Sequence, residues 1–290
     1  MRKLAASWDL LKTSFAILRS DKELILLPIT SAILSAIAFV IMMGGWFFMN
    51  WADIRASQHA VAQYGGRPPM PHSDTFYLAL FLFYIVNYFI VIFLNVALVG
   101  VANSRLSGGT WTIGDGLSLA AARASTIFKW AVFAATVGTI LRWISERVGL
   151  LGKIVVALVG LTWSLATYFV VPILAFEDLG PIDAVKRSSK LFKQTWGERV
   201  VAGLSFGMIF GLAIIGGFGA WFFGLIAFSR SLVGIIFVSL LLLAYIQIVV
   251  AISSATASIF NVALYRYALT GKLHGGFTQE QLQSAWVPKG

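Results

Sequence analysis

The chain contains no cysteine, which excludes disulfides, thiolate metal sites and cysteine nucleophiles. That absence leaves the compartment open, because a chain without thiols is tolerated anywhere. Charge is almost as scarce: Asp, Glu, Lys and Arg make up 12% of 290 residues, against 59% hydrophobic. Soluble domains carry about a quarter of their residues as charges, so this composition belongs to the integral membrane class. No polar stretch reaches the roughly 40 residues needed to fold alone, so a second, soluble domain of ordinary size is not expected. Also missing are a phosphate-binding Walker loop, a G-x-S-x-G elbow and any Ser/His/Asp set in motif context. The expectation is therefore a non-enzymatic protein with no cofactor. No cleavable signal peptide is apparent either: the apolar run that begins near Leu24 is about 25 residues long, whereas a signal h-region has about 7–15.

What is present is apolar length. A helix needs about 20 apolar residues to cross the hydrocarbon core. Six runs are read as spans, at about 24–48, 76–102, 127–141, 150–176, 200–228 and 232–260, with a polar tail over 261–290. Net charge is +10, and the basic residues flank the spans, so anionic headgroups explain them better than nucleic acid does. Counted on alternate sides, sixteen Lys and Arg fall with the two termini and the second and fourth loops, and six on the other side. That asymmetry predicts a multi-pass protein of the cell (inner) membrane with both termini in the cytoplasm.

The most polar segment is Glu177–Val200. Gly180-Pro181 fits an N-cap followed by Pro at the first helical position, Asp183 suits the positive end of the helix dipole, and Gly197 ends the helix. On a helical wheel Val185, Ser188, Phe192, Thr195 and Trp196 share one face, and Lys186, Arg187, Lys190 and Lys193 the opposite one. Two readings follow: a helix in the membrane interface with its basic residues at phosphates, or a helix packed on the base of the protein. The N-terminus repeats the pattern over 3–19, where Leu4, Trp8, Leu11, Phe15 and Leu18 line one face. "DGLSLAAARASTIFKW", opened by Asp115, is a weaker copy read as running straight into the third span. An amphipathic cytoplasmic helix before each pair of spans amounts to a threefold internal repeat.

The stretches "LRSDKELILLP", "EDLGPIDAVKRSSKLFKQTWGE" and "ALYRYALTGKLHGGF" resemble an uncharacterised bacterial and archaeal six-span membrane family. That family is similar in layout to the membrane domain attached to some glycerophosphodiester phosphodiesterases. The resemblance implies an all-α polytopic bundle and no established activity. No phosphodiesterase domain is found in this chain, so that chemistry does not carry over.

No ionisable residue lies near the centre of a span, which argues against proton-coupled transport. Asn87, Asn95 and Gln247 are read as interhelical hydrogen-bonding groups. Gly203, Gly207 and Gly211, four apart, continued by Gly216, Gly217, Gly219 and Gly224, are read as a face for close helix approach, with the partner expected within the chain. The external segment from Asn50 to Tyr77 carries Asp53, His59, His72 and Asp74, whose spacing fits no metal signature, and "GGRPPMP" marks it as an irregular loop. Arg142 and Glu146 are spaced as an i,i+4 surface pair. The function expected is a permease, channel or lipid-interacting subunit in contact with the bilayer and its anionic headgroups. The alternative is a scaffold that anchors or regulates a protein partner or self-associates.

Overall fold

The structure, a computed structural model, describes residues 14–16, 18–19, 21–64, 73–196 and 205–271. Among these residues, ten α-helices follow a short 3-10 turn, Lys22–Ile25: α1 Leu26–Met49, α2 Trp51–Tyr64, α3 Ser73–Leu106, α4 Ile113–Ala122, α5 Ala124–Arg147, α6 Leu150–Ala166, α7 Val170–Phe176, α8 Pro181–Trp196, α9 Ser205–Ala227 and α10 Leu232–Thr270. Six stretches are long and apolar enough to cross a membrane: Lys22–Met49, Asp74–Leu106, Ala124–Arg147, Gly152–Phe176, Phe210–Ala227 and Leu232–Thr270.

Ring and hydrogen-bond contacts fix the threading. Phe39 meets Phe83, and Trp46 donates from Nε1 to Thr75 Oγ1 at 3.0 Å, so α1 and α3 are antiparallel. Tyr84 binds Arg142 and Phe89 meets Phe128, so α5 runs back along α3. Trp130 stacks on Trp163 between α5 and α6, and Trp221 reaches Ser239 between α9 and α10. By contrast, Ser258 bonds Asn95 and Arg266 bonds Asn103, which makes α3 and α10 parallel neighbours.

α3 and α10, at 34 and 39 residues, are about 51 and 58 Å long, well beyond the ~30 Å hydrocarbon thickness. Their C-terminal halves are buried: Val96–Val99 and Ala255–Tyr265 pack with Leu24, Ile127, Phe169, Ile173 and Leu191 in one cluster. Their N-terminal halves are open, with Val233 77% and Leu240 59% exposed. Dense packing is thus confined to the end bearing most of the Lys and Arg. The other ends present apolar surface of the kind a bilayer covers.

Two close approaches seat α4 on α3. A methyl at Gly116 would stand 2.5 Å from the Ala97 carbonyl oxygen, and one at Gly100 would stand 2.7 Å from a Leu119 methyl carbon. α4 opens with a capping box, in which Thr112 Oγ1 accepts from the Asp115 N–H at 3.3 Å and Asp115 accepts from the Thr112 N–H at 2.7 Å. These bonds hold the Asp115 carboxyl below its usual range. The α3–α4 loop turns through Gly108 at φ +78, and the Gly109 N–H reaches back to the Ser104 carbonyl at 2.8 Å, a helix end of the Schellman type.

Several expectations are corrected. The helix of the sixth span continues to Thr270, and Val262, Leu264 and Tyr265 belong to the core rather than to a structureless tail. The third span is a 24-residue helix, longer than 127–141. α4 does not run straight into it, because Arg123 interrupts the helix. The first part of the segment between the first two spans, read as an irregular loop, is helical, as α2. At the N-terminus Leu18 is buried and Phe15 exposed, while Leu4, Trp8 and Leu11 lie outside the described residues.

Candidate functional site

The three sequence stretches singled out above meet at the packed, basic end. The fourth span is discontinuous there. Pro172 has no N–H, so the Tyr168 carbonyl loses its i+4 partner, and the helix breaks between α6 and α7. Asn261 of α10 donates from Nδ2 to that carbonyl at 2.8 Å, and the Phe169 N–H donates to Ser188 Oγ of α8 at 3.0 Å. Buried backbone groups require partners, and here two different helices supply them. Phe169 itself is buried against Phe192 and Tyr265.

Just beyond α7, Glu177 accepts from Arg187 Nε at 2.9 and 3.2 Å and from the Tyr265 hydroxyl at 2.8 Å. Both carboxylate oxygens are therefore engaged, and Glu177 acts as a lock between α8 and α10. Arg123 pairs with Asp178 at 3.0 Å, and Arg105 pairs with Asp21 at 2.7 Å. Among the described residues there is no group of three His, Cys, Asp or Glu that could hold a metal ion.

α8, Pro181–Trp196, begins at Pro181 as expected, and Gly197 lies outside the described residues. Ala184, Ser188, Leu191 and Phe192 are buried, so its apolar side packs on protein at these positions. Of its basic residues, Arg187 is consumed by Glu177, and Lys186 pairs with Asp183 at 3.2 Å. Lys190 and Lys193 are exposed. The Trp196 side chain lies outside the described residues.

The packing residues divide. Asn95 Oδ1 accepts from Ser258 Oγ at 3.0 Å and joins α3 to α10 as expected. Asn87 is half-buried on α3, whereas Gln247 is exposed on α10. Within the glycine series of α9, a methyl at Gly217 would meet Tyr245 at 2.5 Å and one at Gly224 would meet Val238 at 2.6 Å, whereas one at Gly211 would find nothing within 4 Å. Gly203 and the surroundings of Gly207 lie outside the described residues. Between α9 and α10 a groove of about 380 Å³ is lined by Gly217, Ala220, Trp221, Val238 and Tyr245 among others. On α5 Arg142 pairs with Glu146 at 3.0 Å, as the spacing predicts.

Ser188, Asn261 and Tyr265 were missed as a unit. Pro172 in an apolar run was the available signal, but which side chains answer it depends on chain packing.

The described chain is an all-α membrane bundle with six candidate spans and a polar joint at one end. It belongs to a family of unknown function, DUF6159, whose family model matches residues 74–277. No curated protein and no solved structure gives a significant match.

Proposed function

We propose that this chain is a non-enzymatic, lipid-interacting protein of the cell (inner) membrane, with both termini in the cytoplasm. The observation that carries this reading is α8: it is held by Ser188, Phe192 and Arg187 on one side and presents Lys186, Lys190 and Lys193 on the other. A basic helix held rigidly beside the ends of the spans suits an anionic leaflet, where each Lys contributes about 1 kcal/mol. The charge asymmetry supports the orientation. The order of elements supports the threefold repeat, since α4 precedes α5 and α6, and α8 precedes α9 and α10. A six-span layout of this kind is also the basis of the similarity to the membrane domain of glycerophosphodiester phosphodiesterases. The engagement of Glu177, Asp178 and Asp183 in ion pairs supports a structural role for these acids over a catalytic one.

The test is the thermal stability of the full chain in nanodiscs of phosphatidylcholine with and without phosphatidylglycerol. The anionic lipid should stabilise the protein, high salt should weaken the effect, and Lys190→Gln with Lys193→Gln should remove most of it. Equal stability in both lipids would overturn the lipid reading and favour the second one, in which the same exposed face receives an acidic protein partner. Solute flux into proteoliposomes containing only this chain would instead identify a permease or channel.

A further inference from the structure

We propose that Arg266 is the centre of a phosphate-binding site at the C-terminal end of α3, separate from the basic face of α8. At this end Arg105, Arg123, Arg187 and Lys186 each have a carboxylate partner, while Arg266 has none among the described residues. It is nevertheless held in one orientation. Its Nη1 donates to the Asn103 carbonyl at 3.3 Å, to Asn103 Oδ1 at 3.2 Å and to Ser107 Oγ. Ser107 spends its own proton on the Asn103 carbonyl at 2.8 Å, so its oxygen is left to accept from the guanidinium. All three acceptors are neutral and lie at the helix terminus, where the dipole favours a cation.

Those bonds use one nitrogen. The Nε and Nη2 edge, the side on which guanidinium forks bind oxyanions in a bidentate manner, makes no bond to the described residues. Arg266 is half-buried, which limits competition from water. Trp111, 40% exposed, sits on the same loop, its N–H donating to Ser104 Oγ at 3.3 Å, and an exposed Trp is a side chain typical of headgroup depth. A charged fork with no carboxylate partner among the described residues, pre-oriented by its bonds to Asn103 and Ser107, fits a phosphate group. The phosphate comes either from an anionic phospholipid or from a soluble phosphate.

The experiment uses the full chain in a maltoside detergent, which carries no phosphate, with melting temperature followed against added phosphatidylglycerol, inorganic phosphate, or sodium chloride at matched ionic strength. One of the two phosphate compounds should raise the melting temperature where chloride does not. The lipid alone acting assigns the site to headgroups, and inorganic phosphate acting assigns it to a soluble ligand. Arg266→Gln should raise the half-saturating concentration about tenfold or more. Arg266→Lys, which keeps the charge and loses the fork, should raise it several-fold while leaving the ligand-free melting temperature near wild type. Lys190→Gln with Lys193→Gln should leave the inorganic-phosphate titration unchanged and, in the lipid titration, remove only the part of the shift that survives in Arg266→Gln, which separates failure here from failure of the α8 reading. The proposal is overturned if neither phosphate compound acts beyond chloride, or if both Arg266 variants titrate like wild type.

Discussion

Replacing Gly116 by Ala tests how α4 is held. In an exposed helix interior this change stabilises by about 0.5–1 kcal/mol, because Ala has the better helix propensity. At Gly116 the new methyl would meet the Ala97 carbonyl oxygen at 2.5 Å and a Val101 methyl at 2.7 Å. The Val101 contact is with a side chain that can turn, but the Ala97 contact is with backbone inside α3, so α4 must move away. Overpacking of this kind costs about 1–3 kcal/mol, which exceeds the propensity gain. Gly116→Ala should therefore lower stability by about 1–2 kcal/mol on balance. Gly45→Ala is the control: nothing lies within 4 Å of a methyl there, so propensity acts alone. The assay is thermal unfolding of the full chain in detergent, followed by circular dichroism. The two variants should shift in opposite directions. A stabilised Gly116→Ala would refute the close seating of α4 on α3.

Asn261→Ala should leave the buried Tyr168 carbonyl without its donor and cost about 1–3 kcal/mol, read as a lower melting temperature; Ser188→Ala should do the same through the Phe169 N–H. Gly108→Ala places a Cβ at φ +78 and should cost about 1 kcal/mol, whereas Gly149→Ala, at φ −68, should not. The Asp115 carboxyl titrates below its usual range because Thr112 donates to it. Its contribution is complete above the unfolded carboxylate range and is lost as pH falls through the lowered folded value. Asp115→Asn should therefore flatten the acid limb of the stability profile, and an unchanged limb would assign acid sensitivity to other groups. Reporter fusions after Gly290 and in the 177–200 segment should be active only in the cytoplasm, and one at Gly65 only outside; an external C-terminus would sink the orientation.

The sequence alone determined the membrane class, the six candidate spans and the start of α8, because hydropathy, Gly180-Pro181 and the first-turn Asp183 act over one or two turns. It also marked Asn95 as an interhelical group. It did not say which glycines of α9 meet a neighbour, since a helix apolar all round carries no directional pattern: Gly217 and Gly224 close on α10, while Gly211, Gly216 and Gly219 face open space. The exposure of Gln247 follows from the same limit. A polar side chain in a long helix bonds only if a neighbour arrives at its level. The polar joint was decided entirely by tertiary structure. Pro172 frees a carbonyl wherever it stands, but Asn261 is 93 residues away from the Tyr168 that it serves. Only the packing of α10 beside the broken span brings the donor to the acceptor.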